Sequence, residues 1–320
     1  MIGRQIQIGI AKEATRGTVA VPTFWIPKED ASIDDKVEYL ESGQSFGILA
    51  DSDDNSLIKQ MAEGEISGKV RDKSFGLMLL GAFGTVNSVV KETTAYNHTF
   101  SLANTNIHQS LTVELKSAAE QLSFALAMVK SLKMNFEVGK FVTYALALVA
   151  KKGATSSNSP AYVAENEFIA KHATMKLATN LAGLGAASAI VVRSIDITID
   201  KSVDEEMGIG SLDPVEIYNK EFSIEGTMEA EYKDTASFKA AYKAGTKQAM
   251  RIIVANTDVT IGASSNPTIQ IDLAKVSFKD WVRAGSNKDI IKQTIKFKAH
   301  YSLTDAKMAE VVLTNTQTAY

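Results

Sequence analysis

The 320-residue chain has no cysteine. This excludes a disulfide framework, a thiolate metal site and a cysteine nucleophile. Five prolines and twenty glycines are too few for a collagen-like or proline-rich architecture. An excess of either charge is missing as well: 34 Lys and Arg stand against 37 Asp and Glu, a net charge of −3. Bulk charge therefore excludes a strongly basic nucleic-acid binder. The longest apolar runs, 76–83 and 141–150, fall far short of the roughly 20 residues that cross a bilayer. The opening Met1-Ile2-Gly3-Arg4-Gln5-Ile6 has no apolar stretch of the kind a secretory signal needs. Synthesis and folding in a cytoplasm, without a membrane partner, are the expectation.

What is present is alternation. Ser194-Ile195-Asp196-Ile197-Thr198-Ile199-Asp200 alternates polar and apolar without a break, the period of a half-buried strand. Phe222, Ile224, Gly226, Met228, Ala230 and Tyr232 form a second such face, opposite Ser223, Glu225, Thr227, Glu229 and Glu231. Ile291 to Tyr301 repeats it, with Lys292, Lys296 and Lys298 on the other side. Leu132, Met134 and Phe136 lead through Glu137-Val138-Gly139-Lys140, a predicted hairpin turn, into the apolar run 141–150. Helices are few. One is predicted from Asp72-Lys73-Ser74-Phe75 to Phe83, with Phe75, Met78, Leu79 and Ala82 as its apolar stripe. A second is predicted from Asp234-Thr235-Ala236-Ser237-Phe238 to Gly245.

The two predicted helices follow similar segments. Residues 63–75 align with 225–238 through one single-residue gap, matching Glu63/Glu225, Gly64/Gly226, Asp72/Asp234, Ser74/Ser237 and Phe75/Phe238. Upstream, 32–38 resembles 198–204; downstream, 132–136 resembles 276–280. This points to an internal duplication. The expected organisation is an N-terminal arm (1–22), a first domain (23–152), a linker (153–165) around Gly153-Ala154-Thr155-Ser156-Ser157-Asn158-Ser159-Pro160, and a second domain (166–320). The fold class is mainly β: two tandem β-sandwich or barrel-like domains, each with one flanking helix.

Signs of catalysis are weak. Gly43-Gln44-Ser45-Phe46-Gly47 fits G-x-S-x-G but lacks the strand and helix that the nucleophile elbow requires, so a connecting loop accounts for it. His98, His108, His172 and His300 stand at no metal-ligand spacing. Asp51-Ser52-Asp53-Asp54 lacks the later Gly and Glu of a calcium loop. Gly183-Leu184-Gly185 lacks the third Gly of a dinucleotide site. No metal or cofactor is expected, and no enzyme activity. The acidic strand faces are the candidate functional surface: Asp34, Glu63 and Glu65 in the first half, Asp196, Asp200, Glu225, Glu229 and Glu231 in the second. A solvated outer face is the plain reading; lining a channel would require a symmetric assembly.

The opening Gly3-Arg4-Gln5-Ile6-Gln7-Ile8-Gly9-Ile10-Ala11-Lys12-Glu13-Ala14-Thr15-Arg16-Gly17-Thr18 resembles the start of tail tube (major tail) proteins of long-tailed, siphovirus-like bacteriophages. Residues 66–76 and 313–318 are also similar to such proteins. The resemblance implies six sandwich domains per ring, inner strands joined into one barrel around a DNA-sized lumen, and rings stacked through loops and arms. A duplicated chain would supply six domains from three copies, giving homotrimeric, pseudo-hexameric rings. Implied partners are further copies of the chain and tail terminator, tape measure and tail-tip proteins, with DNA passing through without specific binding during ejection. The implied location is the virion tail, after assembly in the host cytoplasm. Gln5, Ile6, Ile8 and Ile10, in a segment too apolar for a free tail, are candidates for an inter-ring arm. Two alternatives stay open: a carbohydrate- or receptor-binding β-sandwich of a tail tip or adhesin, and a hydrolase using Ser45.

Overall fold

A computed structural model describes residues 2–233, 238–285 and 290–320. The first half runs β1 (Gln7–Lys12), β2 (Phe24–Ile26), β3 (Asp30–Ala31), β4 (Asp34–Glu41), β5 (Asn55–Lys69), α1 (Phe75–Phe83), β6 (Gly84–Glu92), β7 (Ala95–Leu102), β8 (Leu111–Lys116), β9 (Gln121–Glu137), β10 (Thr143–Ala150) and β11 (Ala154–Thr155). The second runs β12 (Ala173–Ala178), β13 (Ala189–Ile190), β14 (Ser194–Asp200), β15 (Val203–Glu206), β16 (Glu216–Asn219), β17 (Ser223–Glu231), α2 (Phe238–Ala244), β18 (Gln248–Ala255), β19 (Thr268–Ala284), β20 (Lys292–His300) and β21 (Ala309–Asn315). The chain is mainly β and its named strand pairs are antiparallel.

Pairing builds one long sheet in the order β4–β5–β10–β9–β14–β17–β20–β19, with β3 continuing the β4 side of β5. The long strands β9 and β19 leave this sheet at their N-terminal ends and join outer strands. β9 pairs there with β8 and β11, and β8 with β1 and then β2. β19 pairs with β18 and β21, and β18 with β12 and then β13. The β6–β7 hairpin extends this second outer group through β21. One face of the long sheet packs on the outer strands. Leu132, Met134, Ile195, Ile197, Ile199, Met228, Ile295 and Phe297 are buried there in one continuous core. The alternation in the sequence thus became burial on one face, as a two-residue period requires.

The pairings of the second half repeat those of the first, irregularities included. The β8–β9 ladder slips by one residue between Leu111 and Val113, and the β18–β19 ladder between Gln248 and Met250. The β9–β10 ladder slips at Lys130, the β19–β20 ladder at Lys279. Gly64 and Gly226 both lie where another strand crosses closely: a Cβ at Gly64 would run into the Ile33 backbone, and one at Gly226 into the Asp196 carbonyl and Phe297. Only glycine fits such an approach. These anchors match Ile33 with Ile197 and Lys130 with Lys279. The sequence matches upstream and downstream of the helix are therefore displaced by a few residues from the pairing-based ones, because identity at a strand's ends does not fix register.

Two local expectations change. Every residue of α1 is buried, not one stripe, since the helix is enclosed between the outer strands and the C-terminal segment. Ser74 makes no side-chain cap of its own; its N–H and Oγ–H both donate to Glu165. The predicted opening of the second helix, Asp234 to Ser237, lies outside the described residues. The predicted turn is present, with Gly139 at φ +80° between β9 and β10.

The segment expected as a docking arm is corrected by its pairing. β1 lies between β2 and β8, and Ile8 and Ile10 are completely buried in the chain's own core. Gln5 is exposed in a short 3-10 turn, and Ile6 is half-buried against the core. The apolar character of the segment is that of a central strand. Ala154–Thr155, inside the expected linker, pairs with β9 as β11.

Candidate functional site: the polar sheet face and its open edges

Residues directly opposite one another in a ladder share a face. Asp34 opposes Glu63, Thr198 opposes Glu225 and Lys133, and Asp196 opposes Thr227 and Asn135. Together with the two-residue period this places Asp34, Glu63, Glu65, Asp196, Asp200, Glu225, Glu229 and Glu231 on the polar face of the long sheet, away from the core. The same face carries Lys130, Lys133, Lys279, Lys292, Lys296 and Lys298, which were not among the sequence candidates. The alternation of Lys292, Lys296 and Lys298 with apolar residues was the available signal.

These charges are interleaved and largely paired. Lys130 Nζ lies 3.4 Å from Glu63, and Lys279 Nζ 3.1 Å from Glu225, the same pair at matched positions in the two halves. Lys298 adds a second contact to Glu225 at 3.0 Å, and Lys292 reaches Glu229 at 3.1 Å. Hydrogen bonds from Lys298 and Lys279 hold the Glu225 carboxyl below the usual carboxylate range. Asp196 accepts from Asn135 Nδ2 at 2.6 Å. Exposed pairs of this kind contribute at most about 1 kcal/mol each. Their effect is to leave the face polar, with few unoccupied cations.

Where β9 meets β14, the two halves join within one chain. Ser194 to Asp200 run antiparallel to Glu137 to Ser131, and Ile195, Ile197 and Ile199 close over Leu132, Met134 and Phe136. Among the described residues, the positions that match β9 and β14 at the far ends of the sheet have no such partner. On β19, Ser277 to Ala284 pair with β20 on one side only; on β3–β4, Asp30 to Lys36 pair with β5 only. Trp281 and Arg283 stand where β9 has Leu132 and Met134, and both remain solvent-accessible. Every residue of β4 is exposed. Unpaired strand edges are templates for further pairing.

The base of β14 leads into a hairpin, β15–β16, that folds back on the first half. Ile217 and Val203 pack on Met61, Leu126, Met128 and Val149. Arg16 fastens it, donating to Glu216 at 2.7 Å and to the Ile217 carbonyl at 2.6 Å, and also to the His108 carbonyl. Lys201 is fully buried beside it and donates to the Gly81 carbonyl in the last turn of α1 at 2.6 Å. Burial, reinforced by the charge of Arg16, pulls its ammonium down to about 7. The matching hairpin of the first half is the distal part of β4–β5. Among the described residues it makes no such return, and its loop exposes Phe46, Ile48 and Leu49.

The other sequence candidates take structural places. Ser45 lies in an exposed loop with no helix after it. His98 is buried between Ser88 Oγ, Asn315 Oδ1 and the Gln317 carbonyl. His300 bonds Ser277 Oγ at 2.6 Å. Among the described residues no group of His, Asp and Glu has metal-ligand geometry. No described helix is long and apolar enough to cross a membrane. Trp25 is buried, and Trp281 packs on Tyr232, so the two tryptophans form no shared aromatic surface.

The sequence matches the phage tail tube protein family over residues 3–299. The chain belongs to that family. A search of curated proteins returns no match. Membership makes this phage tail tube protein a structural component of a virion tail. The family implies assembly with itself and with other tail proteins in general, in a structural role.

Proposed function

We propose that this tail tube protein closes into a ring of three copies, in which the open edge of β19 on one chain pairs with β3–β4 of the next. The observation that carries this reading is the β9–β14 seam, a complete example within the chain of the junction that the free edges lack. Matching the anchors of the two halves gives the register: Ser32 opposite Ala284, Asp34 opposite Val282, Lys36 opposite Asp280. Lys36 and Asp280 are opposite charges on the polar face. Asp35 falls beside Trp281 and next to Arg283, a carboxylate near a guanidinium.

Each chain would contribute two four-stranded units, and three chains the six that the tail tube resemblance implies. A barrel of that many strands is too wide for side chains to fill, so it keeps an open lumen. Closure would satisfy the backbone groups of both edges, and a cyclic ring leaves none over. The polar face would line the channel. Lys130, Lys279, Lys292, Lys296 and Lys298 are held by carboxylates, so most of the wall would offer no free cations to neutralise phosphates, and DNA would slide during ejection. The exposed loop residues Phe46, Ile48 and Leu49 would meet the adjacent ring when rings stack into a tube.

Negative-stain electron microscopy of concentrated protein tests the reading. End views with three-fold symmetry and a central hole, or long tubes, are expected. Discrete particles without a pore at every concentration would refute it.

A further inference from the structure

A second contact between neighbouring chains follows from comparing the two hairpins. We infer that the basic patch formed by Lys247, Lys275 and Lys298 beside His300 is the seat for the acidic β4–β5 hairpin of a second copy of this chain. The inference rests on the ring proposed above.

The hairpin β15–β16 shows what such a seat does. Within one chain it lies across the first half, on Leu126, Met128, Val149 and Met61. The pairing registers match these positions with Lys275, Ser277, Lys298 and Ser223 in the second half. They likewise match Val203 and Ile217 of the hairpin with Tyr39 and Asn55. The apolar seat thus becomes a basic one, and the two apolar hairpin positions become Tyr39 and Asn55. Two carboxylates keep their positions: Glu205 matches Glu41 and Glu216 matches Asp54. In β15–β16 both find cations, Glu205 with Lys59 at 3.5 Å and Glu216 with Arg16 at 2.7 Å. Glu41 and Asp54 have no ion-pair partner among the described residues, and neither do Lys247 and Lys275. These lysines crowd one place: Lys247, Lys298, Lys275 and Lys279 all act on His300, and after burial they are what lowers its proton affinity. In the ring register, β4 of the next chain would arrive beside β19, and its hairpin would pass over this patch as β15–β16 passes over β9. The opposite net charges of the hairpin, with Glu41 and Asp54 unpaired, and of the lysine patch would supply the attraction.

The test uses full-length protein carrying Ser32→Cys and Ala284→Cys, so that interchain disulfides report the ring independently. Hydrogen exchange of residues 37–58 reports the hairpin. In the assembled protein these amides should exchange at least about tenfold more slowly than in the unassembled chain. Lys247→Glu with Lys275→Glu should abolish that protection while leaving the disulfides intact. Adding Glu41→Lys and Asp54→Lys should restore it. Protection unchanged by the reversal, or absent from the cross-linked wild-type background, overturns the seat while the ring stands. A protein that forms no interchain disulfide overturns both.

Discussion

The seam between β9 and β14 and the open edges of β19 and β4 are the same structural position in two conditions, one filled and one empty. In the filled seam, Leu132 and Met134 are buried under Ile197 and Ile199. At the empty edges the matching places hold Trp281, Arg283, Ile33 and Asp35, of which only Ile33 is buried in the chain itself. A junction formed during folding can use aliphatic side chains alone. In the proposed ring, an edge that waits for its partner would be shielded from indiscriminate pairing by this charge and amphipathic ring. The hairpins differ likewise: Val203 and Ile217 of β15–β16 pack on the first half, while every residue of β4 is exposed.

The comparison is broken most severely at its glycines. Gly64→Val and Gly226→Val each force a side chain into a crossing backbone. Each should cost roughly 3 kcal/mol in thermal or denaturant unfolding, with similar values at the two sites. A silent substitution at one of them would show that the halves are not equivalent.

Edge charge comes next. Lys36→Glu should weaken ring formation by about 1 kcal/mol per seam, roughly fivefold in association, without altering the unfolding of the single chain. Asp280→Lys in the same protein should recover it. Sedimentation velocity against concentration measures both, and a double variant no better than Lys36→Glu would argue against the proposed register.

A pH experiment probes the anchored hairpin. His108 sits beside the anchored hairpin, its Nε2–H donating to the Ala103 carbonyl at 3.0 Å. Burial, then the charge of Lys201, lowers its proton affinity to about 4. The unfolded side chain, with an ordinary value near 6.5, takes a proton first on acidification. The stability associated with neutral His108 is therefore present above about 6.5 and lost as pH falls towards 4. Melting temperatures of the wild type should drop across that window, and His108→Gln should reduce the slope. An unchanged slope would remove His108 from the account.

The smallest effect is expected on the polar face. Lys130→Met and Lys279→Met remove matched exposed pairs and should each change stability by less than about 1 kcal/mol, with any loss fading at high salt. A large, salt-independent loss at either lysine would mean that it is more than a surface partner.

Much of the fold was legible. Unbroken alternation at 194–200 and 222–232 announced strands, and Gly139 announced a turn, because periodicity and positive φ are local properties. The matched Glu63-Gly64 and Glu225-Gly226 were visible because a close strand crossing demands glycine at one place. Register was not legible: Ile8 and Ile10 have strand spacing, yet nothing local says that their neighbours are β2 and β8 of the same chain. The lysines of the polar face were in plain view but were not joined to the carboxylates, since ladders between distant strands bring them together. Lys201 gave no signal at all. A lysine in a polar stretch reads as exposed, and only the return of β15–β16 buries it against α1.

The most direct test is to compare two cysteine pairs in a chain that has no other cysteine. Asn135→Cys with Asp196→Cys spans the internal seam, where these residues already oppose one another, and should form a disulfide within each chain. Ser32→Cys with Ala284→Cys spans the matched open edges and should form bonds only between chains. Under oxidation the second pair is expected to yield covalent trimers closed on themselves, and either cysteine alone should yield none. Bonds formed within single chains, or open ladders of every length without a closed trimer, would contradict the account.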